Sequence, residues 1–189
     1  MDPKKIKYLT VEEARALHRE ARKRSRRDYA LLLIAYRHGL RASEIGLLRR
    51  EDVNFKTNRI RIHRLKGSLG GEHPLEADEA RALRSYLRER KDELPPLFLS
   101  RKKGPLSRFA VDELMKAYSA KAKLPSDRRY FHVLKHSIAV HLVNAGVEVL
   151  TVRDWLGHKS INNTLVYAQL LNPKRDAEMS RVFRSKQTA

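Results

Sequence analysis

Cysteine is absent from this sequence of 189 residues. Disulfides, thiolate nucleophiles and cysteine-ligated zinc sites are therefore excluded, and the composition suits a reducing cytoplasm. The chain also lacks any run of about 18 apolar residues, the length that a membrane-spanning helix requires. Its first ten residues, MDPKKIKYLT, contain no apolar segment like that of a signal peptide. These absences favour a cytoplasmic protein with no membrane partner.

Acidic residues are few relative to basic ones. The chain has 41 Lys and Arg against 22 Asp and Glu, which gives a net charge of +19. A field of this sign attracts polyanions, so nucleic acid is the first partner to consider. Ribosome association and binding to a membrane surface are the alternatives that charge alone leaves open. The length suits one domain with a proper core.

Chemically reactive side chains concentrate in residues 130–169. His132, Lys135 and His136 are spaced i, i+3 and i+4, so they share one face of a predicted helix. A zinc site on the two histidines is disfavoured, because no glutamate stands in the His-Glu-x-x-His arrangement and no cysteine is present. We therefore predict no metal site. His136 is interpreted as structural.

Two glycines divide this stretch into three predicted helices. Gly146 and Gly157 are placed to end the first and the second helix. His158 follows directly, and Tyr167 lies nine residues further on in a third short helix. A helix cap for His158 and a core position for Tyr167 are the alternatives to a role in chemistry.

A second motif, GLRASEIGLL, occupies residues 39–48. It follows a buried helix predicted over Arg26 to His38. Ser43 is predicted to be the N-cap of a short helix. This places Arg41 beside exposed backbone N–H groups, a setting that attracts an anion.

The remaining pattern predicts a mainly α-helical fold with a small antiparallel β-sheet, of the α+β class. Thr10 opens a capping box with Glu13, a helix is predicted over Asp78 to Lys91, and another begins at Ser107. The predicted sheet lies within residues 52–75, where apolar and polar residues alternate. It comprises a strand with Val53 and Phe55, a turn at Thr57-Asn58, a strand through Ile60, Ile62 and His63, a flexible connector over 66–71, and an edge strand at 73–75.

These motifs resemble the tyrosine recombinase (phage integrase) family. The C-terminal signature of that family is His-x-x-Arg, then Leu-Gly-His, then a tyrosine nine residues later. The corresponding residues here are His132-Val133-Leu134-Lys135, Leu156-Gly157-His158 and Tyr167. The resemblance implies the catalytic fold of DNA breaking and rejoining enzymes. It also implies double-stranded DNA as the partner.

The resemblance assigns roles to individual residues. Tyr167 would be the nucleophile that forms a 3′-phosphotyrosyl link to DNA, and His132 would be its base or hydrogen-bond partner. The first catalytic arginine would be Arg41, and Glu44 would support the site. Arg41, Lys135 and His158 would together bind the oxygens of the phosphate and so form a phosphate clamp. Lys66, in the hairpin connector, would donate a proton to the leaving oxygen. No cofactor is implied, because cations already fill the clamp.

One position departs from the family pattern, since Lys135 stands where the family has its second arginine. A lysine keeps the positive charge but loses the planar fork of arginine. We therefore expect a site-specific recombinase or integrase whose cleavage is slowed. The alternatives are a catalytically impaired DNA-binding protein of the same fold and a type IB-like topoisomerase.

The resemblance also predicts the larger organisation. Residues 1–189 would form one catalytic domain, without the helical core-binding domain that precedes it in complete recombinases. A tail helix in residues 173–189 would be exchanged between protomers, in a tetramer that forms on nucleoid DNA from free monomers. The basic residues predicted to contact DNA are Arg22, Arg24, Arg26, Arg101, Lys102, Lys103, Arg128 and Arg129.

Overall fold

The computed structural model describes residues 6–65, 67–169, 180–181 and 183–184. In these ranges the chain forms a mainly helical fold with one three-stranded sheet, as the sequence predicts. No described helix is both long and apolar enough to cross a membrane. The helices are α1 (Val11–Arg24), α2 (Arg26–Arg37), α3 (Ala42–Ile45), α4 (Ala77–Glu89), α5 (Arg108–Lys121), α6 (Val133–Asn144), α7 (Val149–Leu156) and α8 (Asn162–Ala168), and the strands are β1 (Val53–Asn54), β2 (Arg59–Ile62) and β3 (Gly71–Pro74).

Helix α2 is the central helix of the first half. Its segment 30–35 is buried on all sides, because α1, α4 and α6 pack around it. The predicted capping box begins α1: the Glu13 backbone N–H donates to Thr10 Oγ1 (3.2 Å), and the Thr10 N–H donates to Glu13 Oε2 (2.8 Å). The C-terminal end of α2 then delivers residues 38–41 to the region of the candidate site.

The sheet is antiparallel in the order β1-β2-β3, with Ile60 paired to both Val53 and His73. It is shorter than predicted at the first strand. Phe55 lies in the turn rather than in β1, because Asn54 Oδ1 accepts hydrogen bonds from the N–H groups of residues 56 and 57 and so closes the turn early. The second strand ends at Ile62, one residue before His63.

The short helix α3 begins earlier than the sequence predicted. Arg41, rather than Ser43, is the N-cap. The reason is a contact from within the helix: the Glu44 carboxylate accepts the Arg41 backbone N–H at 2.9 Å. The start of this helix is therefore occupied by the protein's own carboxylate and is not the open anion site that the sequence suggested.

An apolar cluster separate from the one around α2 holds the C-terminal helices together, with α6 packed against α7 and α8. Gly146 and Gly157 follow α6 and α7 with φ of +85° and +65°, the left-handed conformation that glycine adopts most easily. Most of the predicted tail helix lies outside the described residues. Within it, Phe183 is exposed.

Candidate active site

Two arginines share the carboxylate of Glu44, which is completely buried. Arg41 Nη1 donates to Glu44 Oε1 at 2.8 Å, and Arg64 Nη1 donates to Oε2 at 3.0 Å. Burial alone would raise the pKa of Glu44, but the Arg41 backbone N–H and the charge of Arg64 outweigh it, so this pKa is lowered. Glu44 therefore stays ionised and fixes both guanidinium groups.

Arg64 is almost fully buried, with 1% of its side chain exposed. Besides Glu44, its guanidinium donates to the carbonyl oxygens of Gly39 (2.8 Å), His38 (2.6 Å) and Trp155 (3.1 Å). Its Nε is buried without an acceptor among the described residues. Arg64 thus joins the turn after α2 to the end of α7.

Lys135 is also buried, with 1% of the residue exposed. Its Nζ donates to the carbonyl oxygen of Leu156 at 2.7 Å. Burial, with the charges of Arg64 and Arg41 added, lowers the pKa of Lys135 to about 6. At neutral pH most copies of this amine are therefore uncharged before any phosphate arrives.

Ser68 and Leu69, in the connector after β2, lie against the segment that carries His158. The Leu69 N–H donates to the Gly157 carbonyl at 3.0 Å, and Ser68 forms an isolated antiparallel bridge with His158. A Cβ on Gly157 would lie 2.3 Å from the Leu69 carbonyl oxygen, so only glycine permits this approach. Arg41 Nη1 donates to Ser68 Oγ at 2.8 Å, which ties the first arginine to the same connector.

His158 is held from a second side by α8, since its Nδ1 lies 2.9 Å from Thr164 Oγ1. Burial lowers the pKa of His158 to about 3, and the charges of Lys135 and Arg41 add to the effect. The imidazole is neutral at physiological pH. A neutral imidazole can still donate one N–H to a phosphate oxygen.

Three rings form a row from α6 to α8. The rings of His132 and His136 are 4.6 Å apart and nearly perpendicular, and His136 Nδ1 lies 2.9 Å from Tyr167 Oη. Burial is the main cause that lowers the pKa of each histidine to about 4. Burial also raises the pKa of Tyr167 to about 12. The row therefore pairs a protonated phenol with a neutral imidazole.

These groups form one electropositive site with a phenol at its edge. Such a site offers N–H donors to the oxygens of a phosphate, where charge sits during phosphoryl transfer. The sequence profile of the family described as "Phage integrase family" matches residues 7–173 of the chain. The chain belongs to the phage integrase family. Its membership confirms the resemblance that the sequence motifs indicated.

Two relatives show how far the similarity to other phage integrase family members extends. The chain is 37% identical over 172 residues to the Type 1 fimbriae regulatory protein FimB of Escherichia coli K12, covering 88% of this chain and 86% of FimB. It is 33% identical over 167 residues to the tyrosine recombinase XerA of Pyrococcus furiosus. This second match covers 87% of the chain but only 57% of XerA.

A solved structure confirms the fold. The crystal structure of XerH site-specific recombinase in a post-cleavage complex with a palindromic difH substrate matches with a TM-score of 0.79 at 22% identity. The match covers 95% of this chain and 54% of XerH. The predicted class, mainly helical with a small antiparallel sheet, is thus the catalytic fold of the phage integrase family.

The structure brings together five of the six residues predicted to be catalytic: Arg41, His132, Lys135, His158 and Tyr167. Lys66 lies outside the described residues, although its neighbours Gly67 and Ser68 are described. Two residues of this phage integrase site were not assigned to it from the sequence. Arg64 gives no local signal, because it is one of several arginines in RIRIHRLK. The spacing places His136 at i+4 from His132 but does not reveal its contact with Tyr167.

The predicted DNA contacts fall into separate regions. Arg22 and Arg24 lie in the last turn of α1, and Arg26 begins α2. About 17 Å of helix rise therefore separates Arg26 from Arg37, which precedes the turn that leads to Arg41. Arg101, Lys102 and Lys103 are exposed in a loop. Arg128 donates to the Glu13 carboxylate, and Arg129 donates to the Leu124 carbonyl.

Proposed function

We propose that this chain is a site-specific recombinase that cuts and rejoins DNA through a 3′-phosphotyrosyl link on Tyr167. The observation that carries the proposal is the site itself: a tyrosine hydroxyl hydrogen-bonded to an imidazole, beside Arg41, Lys135 and His158. Similarity to a protein named tyrosine recombinase supports it. So do the net charge of +19 and the presence of DNA in the XerH complex.

In the proposed mechanism the scissile phosphate binds among the N–H donors of Arg41, His158 and Lys135. Tyr167 Oη gives its proton to a histidine of the site and attacks phosphorus, the bond from phosphorus to the 5′ oxygen breaks, and Lys66 gives that oxygen a proton. The 3′ end remains on Tyr167. Attack of a 5′ hydroxyl from another strand reverses these steps and releases the tyrosine, which completes strand exchange.

Glu44 supports the clamp without touching substrate. Its carboxylate is shared by Arg41 and Arg64, so it holds the Arg41 guanidinium at the site in the absence of DNA. Preorganised donors of this kind need no rearrangement when charge develops on the phosphate. The buried Arg64–Glu44 pair is therefore part of the framework of the proposed clamp.

Recombination between two sites requires several active subunits at once. We therefore propose that the chain is a monomer when free and assembles as a tetramer on nucleoid DNA, with the tail in residues 173–189 exchanged between protomers. Sedimentation of the protein with and without a duplex that carries its site tests the assembly. A truncation after Pro173 should still bind one site but sediment as smaller complexes.

Covalent trapping tests the proposed activity. A pool of nicked duplexes with randomised cores is incubated with the protein, and DNA that resists removal by detergent is recovered and sequenced. Tyr167→Phe should abolish this retention while binding changes little, because phosphate contacts elsewhere dominate affinity. Retention by the mutant protein would exclude Tyr167 as the nucleophile.

Assays that use the recovered duplex sequence then distinguish three possible activities. Exchange of strands between two labelled duplexes identifies a recombinase. Relaxation of a supercoiled plasmid without exchange identifies a topoisomerase, and binding without covalent attachment identifies an impaired DNA-binding protein. We expect exchange.

A further inference from the structure

The hydroxyl of Tyr167 has a hydrogen-bond partner that the family signature does not assign. His136 Nδ1 lies 2.9 Å from Tyr167 Oη, and the two residues are 4% and 3% exposed. Bulk water therefore has little access to the oxygen that would attack DNA. Any proton that leaves this oxygen needs an acceptor inside the protein.

We propose that His136, rather than His132, receives the proton of Tyr167 when the phenolic oxygen attacks phosphorus. This inference rests on the proposed function. In the step, the Oη–H bond breaks and an Nδ1–H bond forms on His136. At the same time the bond from Oη to phosphorus forms and the bond from phosphorus to the 5′ oxygen breaks. On religation His136 returns the same proton to the departing phenol.

The geometry distinguishes the two histidines. His132 is the N-cap of α6 and is only partly buried, whereas His136 lies one turn further into the protein, between His132 and Tyr167. The ring centroids in this row are 4.6 Å apart from His132 to His136 and 5.9 Å apart from His136 to Tyr167. His132 is thus placed nearer the surface, where a phosphate would enter.

A proton acceptor must be uncharged before the reaction, and the surroundings of His136 ensure this. Burial, then the charges of His132 and Lys135 on the same helix, hold its pKa at about 4. Tyr167 faces it from α8, and the phenol is in turn affected by Tyr130 and by Arg41 at the start of α3. His136 is therefore an unprotonated base across the neutral range.

The pKa of Tyr167, at about 12, means that the phenol is not ionised in advance. Proton transfer must then accompany the attack, since the phenolic oxygen becomes acidic as it bonds to phosphorus. An acceptor already within hydrogen-bond distance is what such a concerted step requires. His136 meets this requirement in the DNA-free structure.

The test is single-turnover cleavage of a nicked duplex recovered by covalent trapping, measured between pH 6.5 and 9 with wild type and with His136→Asn. We expect the mutant to bind DNA within twofold of wild type and to cleave about 10²-fold more slowly at pH 7. Its rate should then rise about tenfold per pH unit, because without an acceptor only the ionised fraction of Tyr167 can attack, and this fraction grows tenfold per unit below the pKa of about 12. The wild-type rate should stay nearly flat above pH 7. His141→Asn is the matched control, since it changes the same residue type on α6 at a position bonded to Leu9 and Tyr36.

Each outcome decides a different point. A His136→Asn rate equal to wild type, or a slower rate with the flat wild-type profile, would overturn the role of His136 as proton acceptor. If this mutant does not fold, His136→Gln is measured in the same way. The NMR chemical shift of ¹³Cζ-labelled Tyr167 reports its hydrogen bond to His136 without DNA. A chemical shift that is the same in the His136 mutant and in wild type would also overturn the role of His136 as proton acceptor. A wild-type protein that attaches covalently to no duplex would refute the proposed function, and this inference with it.

Discussion

The Nζ atom of Lys135 lies 2.7 Å from the carbonyl oxygen of Leu156, the last residue of α7. Arg64 donates to the neighbouring carbonyl of Trp155 at 3.1 Å. The Lys135 amine and the Arg64 guanidinium therefore both donate hydrogen bonds at the end of the helix where backbone carbonyls are unpaired. Because His158 follows this end after a single glycine, the position of His158 depends on both donors.

Replacing Arg64 tests whether this buried residue stabilises the fold by joining the turn after α2 to the end of α7. Arg64→Met should lower the free energy of unfolding by about 3–5 kcal/mol, since Glu44 loses one of its two partners in the interior. Arg64→Lys should recover part of this loss, because it restores the charge but not the fork. Urea unfolding provides the measurement. Arg61→Met, at an exposed position of β2, is the matched control and should change stability by less than about 0.5 kcal/mol.

The contacts of Arg64 with Glu44 and with the end of α7 predict an effect on DNA cleavage as well. Since Arg64 fixes both Glu44 and the end of α7, Arg64→Lys should cleave DNA more slowly than wild type while its affinity for DNA changes little. Single-turnover cleavage and a binding titration on the same duplex separate the two effects. Equal cleavage rates for Arg64→Lys and wild type would show that Arg64 contributes to the fold alone.

DNA binding should be accompanied by proton uptake. Lys135 has a pKa of about 6 in the DNA-free protein, and a phosphate placed beside it favours the charged form. Near pH 7.5, formation of the complex should therefore be accompanied by net uptake of protons, up to nearly one per bound protein. Titration calorimetry in two buffers with different ionisation enthalpies measures this number. Lys135→Arg, which is charged at every pH used, should show a smaller uptake, and an unchanged value would exclude Lys135 as the source.

Stability should fall as the solution is acidified below neutral pH. His136 and His158 have pKa values of about 4 and 3 in the folded protein, whereas an unfolded histidine titrates near 6.5. Between these values the unfolded state binds more protons, so the free energy of unfolding decreases as pH falls from about 6.5 to 4. Each histidine adds at most about 1.4 kcal/mol per pH unit.

Urea unfolding at pH 7, 6 and 5 checks this dependence. Acidic residues also titrate in part of this range and change the free energy of unfolding. The pH dependence of this free energy must therefore be compared between wild type and a histidine mutant. His158→Asn removes one of these buried histidines and should have a shallower pH dependence of the unfolding free energy than wild type. Parallel pH dependences of the two proteins would contradict the assignment to His158.

The sequence predicted the parts of the site that depend on local spacing. Helical spacing to Lys135 and His136 singles out His132, and the family signature assigns roles to His132, His158 and Tyr167. Gly157 adopts the left-handed conformation expected of a residue that ends a helix. Arg64 could not be found in this way, because its role arises from contacts with α3 and α7, far away in the chain. The start of α3 was misplaced for a similar reason, since a contact from Glu44 to the Arg41 backbone decides it. The contact between His136 and Tyr167 depends on how α8 packs on α6, which helical periodicity does not reveal.

The final prediction concerns the replacement of the second arginine of the family by Lys135. An arginine makes two parallel bonds to one phosphate, whereas a lysine acts as a point charge. Loss of one transition-state donor typically reduces the rate by about 10²–10³, and retained charge should recover part of this. We therefore expect Lys135→Arg to cleave faster than wild type, and Lys135→Met to cleave more slowly than both. Binding should change little, because Lys135 is only one of 41 lysines and arginines in the chain.

Single-turnover cleavage by the three proteins on one duplex is the measurement. Lys135→Met has nearly the same volume as lysine, so it serves as the control for packing around this buried position. The competing possibility is that the site has adapted to lysine. Arg128 and Arg129 do not provide such an adaptation, since Glu13 and the Leu124 carbonyl engage them, but Arg64 lies close enough to lower the pKa of Lys135. If Lys135→Arg cleaves no faster than wild type, the arrangement of Lys135 with Arg64 has replaced the second arginine, and lysine does not slow this enzyme.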